Sequence, residues 1–213
     1  MPMLEVRPIQ PTRRDAIEVA ATVKLDVQTA LARQEHGRGT LSERQERALQ
    51  QYIDAITPER TLGRIARNPG QYYATYSGDE KVAVARFAEW NRYDQAAYEN
   101  FFVGMALSAL ARFKSEHLSK PSFGILTLSS VRSFPRAHQE EAVDLLLQKA
   151  IELAEASQFS AIRIGIPWGD LLEPSEMSDI LANNDFESTG KFAVGVPHVP
   201  ILRQELYIRQ DVS

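Results

Sequence analysis

The segment VRSFPRAHQEEAVDLLL (131–147) brings together side chains that could bind an anionic group. Arg132, Arg136 and His138 lie within seven residues, between an apolar run and an apolar-periodic segment. Arginine makes charge-assisted hydrogen bonds to phosphate oxygens. The start of a helix adds free main-chain N–H groups and a positive dipole end. The segment is therefore a candidate phosphate-binding turn.

Two glutamates oppose that interpretation. Glu140 and Glu141 stand at the start of the same predicted helix. Negative charge there repels a diphosphate, but it suits the helix dipole when no ligand is bound. Arginines on the surface beside a helix start are also common in the absence of a ligand. Anion binding and an ordinary solvated turn both stay open from these residues alone.

Glu89 is the candidate general base. It lies near the end of an alternating, strand-like segment. A carboxylate there could take a proton from an amine if burial raised its pKa towards the working pH. The alternative is a solvated carboxylate at a strand end. Ser129 and Ser130, at the end of the next apolar run, could contact an acyl group through their main chain.

The sequence lacks the residue patterns of metal sites, of serine or cysteine nucleophiles and of phosphate-binding loops. The four histidines, His36, His117, His138 and His198, share no metal-ligand spacing. The patterns H-E-x-x-H and G-x-S-x-G do not occur, nor does a phosphate loop ending in G-K-S/T. Without cysteine the chain has no disulfide, thiolate metal site or cysteine nucleophile. We expect no metal in the site.

Composition narrows the class of protein. A chain of 213 residues is long enough for one large domain. Its net charge of −4 gives no reason to expect nucleic acid or an anionic membrane as a partner. The start MPMLEVRPIQ lacks the pattern of a secretion signal. The most apolar window, FFVGMALSALARF (101–113), is too short to span a bilayer. We therefore expect a soluble, cytoplasmic protein.

Hydrophobic periodicity and turn residues predict the elements that position these side chains. In order they are a strand at 4–9, helices opening at Thr12, Ser42 and Pro58, a hairpin at 71–90, an apolar helix at 96–113, a strand at 123–131, a helix at 138–157, a strand at 161–166, a helix near 174–184 and strands near 190–195 and 203–209. EHGRGT (35–40) is expected to end the first helix. The predicted class is α/β with a mixed sheet (α+β). The crossover at 123–166 should give parallel neighbouring strands with a right-handed connection.

This order of elements resembles the GNAT superfamily of N-acetyltransferases over roughly residues 4–209. The resemblance is carried by GILTLSSV (124–131), AVDLLLQKAIELAEASQFSAIRI (142–164) and ILANNDFEST (180–189). It implies a single GNAT-like domain over 1–213. One strand should splay from the next, and the turn that follows should bind the pyrophosphate of acetyl-CoA through main-chain N–H groups. The cofactor-binding residues implied are Ser130, Val131, Arg132, Arg136, Ala137, His138 and Gln139.

Two signatures of that family are altered here. The family turn has the form Q/R-x-x-G-x-G/A. In this chain Ala142 takes its final small position, Glu140 its central glycine and Ala137 its Arg/Gln position. The family tyrosine of Y-x-x-x-G-F, which protonates the departing thiolate, is replaced by Leu181, and the glycine of that motif by Asp185. We therefore expect acetyl-CoA to bind weakly or not at all, with Glu140 as the obstacle.

Two functions remain open. The first is an acyl-CoA-dependent N-acyltransferase in which a small-molecule or protein amine attacks the acetyl thioester directly. The second is a catalytically inactive GNAT-like module for binding or assembly. The helical insertion at about 94–120 carries more apolar surface than a one-sided helix needs. We expect it to pack against another subunit of a homodimer or to form a wall of the acceptor pocket.

Overall fold

The computed structural model describes residues 3–38, 43–90, 122–130, 134–159, 161–167, 174–196 and 199–210. Its elements in chain order are β1 (Leu4–Pro8), α1 (Arg13–Arg38), α2 (Glu43–Asp54), α3 (Pro58–Arg67), β2 (Tyr72–Ser77), β3 (Glu80–Trp90), β4 (Ser122–Ser130), α4 (Arg136–Ala156), β5 (Ala161–Pro167), α5 (Pro174–Asn183), β6 (Glu187–Val196) and β7 (Val199–Gln210). The predicted helix at 96–113, and with it most of the insertion at about 94–120, lies outside the described residues.

The strands form one seven-stranded sheet in the order β1-β2-β3-β4-β5-β7-β6. All neighbouring pairs are antiparallel except β4 and β5, which run parallel. Parallel neighbours need a long crossover because a tight turn cannot join them, and α4 lies in that connection. The prediction of an α/β class with a mixed sheet is confirmed. The parallel pairing expected for 123–131 and 161–166 is confirmed as well.

α4 covers one face of the sheet. Its fully buried side chains recur at helical spacing: Ala142, Val143, Leu146, Leu147, Ala150 and Ala154. They pack in one core with apolar side chains of β3, β4 and β5. The alanines among them let the helix approach the strands closely. α1 contacts β4 from the other side, so the apolar run of β4 belongs to a strand that is covered on both faces.

α1 and α3 cover the opposite face of the β2–β3 hairpin. Val19 of α1 and Ile65 of α3 form a core with Tyr72, Ala74 and Val84. All five side chains are less than a tenth exposed. The hairpin is therefore held between two helical layers, with α4 on one side and α1 with α3 on the other.

Two of the three helix starts expected from the sequence are confirmed, at Thr12 and Pro58, and the third, Ser42, lies outside the described residues. Thr12 Oγ1 accepts a hydrogen bond from the amide of Asp15 at 3.1 Å and donates to its carboxylate at 2.6 Å. Thr57 caps α3 in the same way. α1 ends at Arg38, within the stretch 35–40 expected to end it. It includes Gly37, which costs a helix only about 1 kcal/mol. No helix among the described residues is long and apolar enough to cross a membrane.

A buried cluster of charges fixes α1 to the start of β3. Lys81 has only 6% of its side chain exposed; its Nζ lies 2.6 Å from Asp15 Oδ1 and also pairs with Glu18. The ring of Tyr76 lies beneath the same ammonium group, with its centroid 5.3 Å from Nζ. A buried lysine is costly unless anionic partners are close. Two carboxylates one turn apart on α1 meet that requirement and position α1 above the hairpin.

The groups of this cluster shift one another's ionisation. Burial alone would lower the pKa of Lys81, but hydrogen bonds to Asp15 and Glu18 outweigh burial and raise the pKa above 10.5. Burial alone would raise the pKa of Glu18, but hydrogen bonds from Lys81 and Arg14 outweigh it and keep the pKa below 4.5. Both groups therefore stay charged across the neutral range.

Replacing Lys81 with methionine removes the charge that the two carboxylates share. We expect the free energy of unfolding to fall by about 3 kcal/mol, because losing one partner of a buried pair leaves uncompensated charge. Urea unfolding measures this loss. The matched control is Lys149→Met, which breaks an exposed pair with Glu152 and should cost less than about 1 kcal/mol. Equal losses in the two variants would contradict the anchoring role of Lys81.

The lowered pKa of Glu18 predicts an acid-dependent loss of stability. Its contribution is complete above the ordinary value of 4.5 and disappears as the pH falls through the folded-state pKa. The wild-type protein should therefore be more stable than Glu18→Gln near neutral pH, and the gap should close below about pH 4.5. Thermal unfolding of both proteins across this range is the measurement. A gap that stays constant into acid would rule out the ion pair as its source.

Candidate functional site

β4 and β5 separate at their carboxyl ends. The paired residues are Phe123, Gly124 and Ile125 of β4 with Ile162, Arg163 and Ile164 of β5. β4 stays paired with β3 as far as Ser130, and β5 with β7 as far as Pro167. The separation therefore opens the middle of the sheet. Main-chain groups on the two facing edges need water or a ligand as hydrogen-bond partner.

A β-bulge in β4 accounts for this separation. Arg86 pairs with Thr127 and Phe87 with Ile125, so Leu126 is an extra residue without a partner on β3. A bulge bends its strand and increases the local twist. This one falls immediately after the last residue that pairs with β5, so the bend carries the end of β4 away from β5. We call the space between 126–130 and 165–167 the strand opening.

α4 begins just beyond the strand opening. Its N-cap is Pro135, a residue whose side chain supplies no capping hydrogen bond. The amides of His138 and Gln139 both donate to the carbonyl oxygen of Pro135, at 3.0 and 3.1 Å. Amides that precede them in a helix have no carbonyl partner within it. With the positive end of the helix dipole, such amides form a site where an anion can bind.

Two hydrogen bonds hold this helix start in place. Gln139 is buried, and its Nε2 donates to the main-chain oxygen of Phe134 at 2.6 Å. Thr75 of β2 donates from Oγ1 to the carbonyl oxygen of Ala142 at 2.8 Å. The first bond fixes the preceding loop to the helix, and the second fixes the helix to the sheet.

A cavity of about 180 Å³ lies on the face of the sheet that α1 and α3 cover. It is lined by Val19, Val23, Ala55, Ile56, Thr61, Arg64, Tyr72, Val84, Ala85 and Arg86. Arg86 pairs with Thr127, next to the bulge in β4. The cavity is therefore one strand away from the strand opening. Nothing in the local sequence marks these residues as a group, and sequence reasoning missed them.

No family model matches the chain, and no curated protein matches its sequence. Solved structures are similar to it in fold. The protein yncA from Salmonella typhimurium, solved with its cofactor acetyl-CoA, is 11% identical and gives a TM-score of 0.58 over 97% of this chain and 93% of that chain. An acetyltransferase of the GNAT family from Streptococcus pneumoniae is 13% identical. It gives a TM-score of 0.55 over 98% of this chain and 99% of that chain. The chain has the GNAT fold.

A condensation domain is also similar in fold to this chain. The C-terminal condensation domain of Ebony, in complex with β-alanyl-dopamine, is 12% identical and gives a TM-score of 0.58 over 99% of this chain and 100% of that chain. At such identities the likeness concerns the fold, and function has to be argued from the site. The expectation of a GNAT-like fold is confirmed.

Three of the residues that the GNAT resemblance assigned to acetyl-CoA lie at the strand opening or at the start of α4. Ser130 is the last residue of β4. Arg136 and Ala137 are exposed and form the first positions of α4. Val131 and Arg132 lie outside the described residues. A cofactor-binding role for all five stays a prediction.

His138 and Glu140 both contact other side chains of the protein. The His138 ring stacks on Phe134 with centroids 6.0 Å apart, and its Nε2 lies 3.5 Å from Ser77 Oγ. Glu140 turns back along the helix, with Oε1 3.5 Å from Arg136 Nε. That ion pair offsets part of the negative charge that Glu140 brings to the start of α4.

Glu89 lies away from the strand opening along β3. Its side chain is exposed, and it pairs with Phe123 in the region where β4 and β5 are still joined. Its role as a base stays a prediction. Among the described residues, no group of three or more acidic or histidine side chains is placed to hold a metal ion.

The two altered GNAT motif positions differ in their consequences. Leu181, at the tyrosine position, is fully buried. Asp185, at the glycine position, has φ of 60°, a left-handed conformation that aspartate tolerates better than most residues.

Sequence reasoning missed Tyr207 of β7, which shares a hydrogen bond with Ser178 at 3.0 Å. Tyr207 pairs with Ile164, the last residue before the strand opening.

The buried amide of Gln139 predicts a stability effect at the helix start. Gln139→Met leaves the Phe134 carbonyl without this donor, and we expect unfolding to become easier by about 1–2 kcal/mol. Gln148→Met is the matched control on the same helix. It removes an exposed bond to Asp144 and should change stability by less than about 0.5 kcal/mol. If urea unfolding finds both variants alike, Gln139 does not fix the turn.

Proposed function

We propose that this protein is an acetyl-CoA-dependent N-acetyltransferase whose acceptor amine attacks the thioester directly. The strand opening carries the proposal, because it exposes main-chain edges in the middle of a sheet and leads to the start of α4. The similar structure of yncA holds acetyl-CoA. The similar domain of Ebony holds β-alanyl-dopamine, which contains an amide bond. Both support a thioester and an amine as the reacting pair.

In this proposal the strand opening takes the pantetheine arm of acetyl-CoA. The amide groups of that arm hydrogen-bond to the unpaired strand edges, as an added strand would. The pyrophosphate then lies at the start of α4, where the main-chain amides of Arg136 and Ala137 meet it. The other proposed members of this turn are Ser130, Val131, Arg132, His138 and Gln139. Gln139 acts by holding the loop at Phe134.

The proposed reaction is a direct displacement in a ternary complex. The neutral amine nitrogen attacks the thioester carbonyl carbon, a C–N bond forms and the C–S bond breaks. Glu89 receives the proton that the amine loses, through water because its carboxylate is exposed. The departing thiolate takes a proton from water, since Leu181 has none to give. Free main-chain amides at the bulge in β4 stabilise the negative charge that develops on the carbonyl oxygen.

Calorimetric titration with acetyl-CoA tests the proposed site. The same titration of Glu140→Gly tests whether the Glu140 carboxylate opposes binding. The wild-type protein should bind weakly, because a carboxylate about 4 Å from a phosphate charge costs roughly 4 kcal/mol at an effective dielectric of 20, before salt screening. The glycine also lets the main chain approach the phosphates more closely. We therefore expect Glu140→Gly to bind acetyl-CoA at least about tenfold more tightly.

Glu141→Gly is the matched control for this substitution. It removes a glutamate from the neighbouring position of the same helix, where the side chain is exposed, and should raise acetyl-CoA affinity much less than Glu140→Gly does, because Glu141 does not take the position of the family glycine. Tight wild-type binding that Glu140→Gly does not alter would show that the carboxylate is no obstacle. If neither protein binds acetyl-CoA and no amine releases free thiol, the acetyltransferase proposal is wrong and a non-catalytic role is favoured.

A further inference from the structure

The cavity beneath α1 and α3 has room for more than water. About 180 Å³ is available, far more than the roughly 15 Å³ that one water molecule needs. Its walls include Val19 and Val23 of α1 and Val84 of β3. Apolar walls with a few convergent polar groups are the usual composition of a small-molecule site. The polar groups therefore decide which ligand fits.

Arg86 is a cation held in a fixed orientation at this cavity. Its Nε and Nη2 donate to Gln71 Oε1 at 3.3 and 3.2 Å, and its guanidinium carbon lies 5.6 Å from the ring centroid of Tyr72. The amide and the ring orient the guanidinium without neutralising its charge. Within the ranges that the structure describes, this half-buried arginine forms no ion pair with a carboxylate.

Arg64 of α3 adds a second positive charge to the lining. Its side chain is exposed, so it can move towards a ligand. No aspartate or glutamate of the described chain lines the cavity, although the whole chain carries a net charge of −4. Two arginines with no acid beside them predict an anionic ligand, and the planar guanidinium matches a carboxylate.

The register of the sheet places this anion site beside the proposed acetyl transfer. Arg86 pairs with Thr127 of β4, next to the bulge at Leu126 where the strand opening begins. Neighbouring strands lie about 4.8 Å apart. The guanidinium itself is held at the start of β2 by Gln71 and Tyr72, so an amino acid whose carboxylate meets Arg86 has to extend across β3 towards β4 for its amine to reach the strand opening.

We infer that the cavity is the acceptor pocket and that the acceptor is a small amino acid with an apolar side chain. Arg86 and Arg64 bind its carboxylate, and Val19, Val23 and Val84 contact its side chain. This inference rests on the acetyl transfer proposed above, in which the amine of the amino acid becomes the attacking nitrogen. A lone amine without a carboxylate is a poor acceptor.

Calorimetry with paired ligands tests the inference before any acetyl-CoA is added. A panel of alanine, valine, leucine, methionine and phenylalanine is titrated into the wild-type protein. The best binder is then compared with its amino alcohol, for example leucine with leucinol. We expect the amino alcohol to bind at least about tenfold more weakly, because it keeps the amine and side chain but lacks the carboxylate.

Variants locate the effect within the chain. Arg86→Gln and Arg64→Gln should each weaken amino acid binding by about tenfold or more and leave the affinity for the amino alcohol unchanged. Arg60→Gln is the matched control. It removes an exposed arginine one turn earlier on α3 that does not line the cavity. Thermal unfolding shows whether each variant is folded.

Several outcomes would overturn the inference. These are no binding by any member of the panel, equal binding of acid and alcohol, and losses with Arg60→Gln that match those with Arg86→Gln. Stronger competition by inorganic phosphate than by acetate would show a phosphate site. A separate titration with acetyl-CoA keeps the two proposals apart. Acetyl-CoA binding without amino acid binding removes only the acceptor inference. Amino acid binding without acetyl-CoA binding removes the acetyl transfer, and the cavity is then an amino acid site that is not an acceptor pocket.

Discussion

The main-chain groups left unpaired between β4 and β5 are the constraint on which the rest of this structure depends. An unpaired edge inside a sheet is costly unless something accepts and donates its hydrogen bonds. The protein opens the sheet with one extra residue, Leu126, and keeps both outer edges paired, to β3 and to β7. The result is a sheet that stays continuous at one end and is open to a ligand at the other.

The two helical layers keep that opening in place by different means. α4 packs through close alanine and leucine contacts and is tied to the sheet at Ala142. α1 depends on a buried ion pair, in which Lys81 joins two carboxylates. Such a pair adds little net stability over an apolar contact, but it tolerates only a narrow range of helix positions. Val19 and Val23 follow Glu18 on α1, so the ion pair also fixes their position over β3, where they line the cavity.

The chemistry proposed here relies on main-chain groups and on geometry more than on signature side chains. In the resemblance to the GNAT family, Glu140 takes the position of the glycine of the phosphate turn and Leu181 that of the tyrosine, yet the strand opening and the helix that follows it are both present. A site built from main-chain amides can persist when motif residues change, because every residue type other than proline supplies the same N–H group. Losing motif residues therefore alters affinity and proton transfer before it alters the fold.

The sequence alone was enough to predict the helices and strands that the structure describes, and their order. β4 is visible as an apolar run, α4 as a 3.6-residue period, and α3 by its threonine cap and proline, because these signals involve residues close together in the chain. Tertiary structure alone decided where the sheet opens, which acids surround Lys81, and that Arg86 has an amide and a ring as neighbours. Leu126 looks like any other apolar residue of its strand, and Lys81 is 63 residues from Glu18. Such features depend on which distant segments meet, and local periodicity carries no information about those contacts.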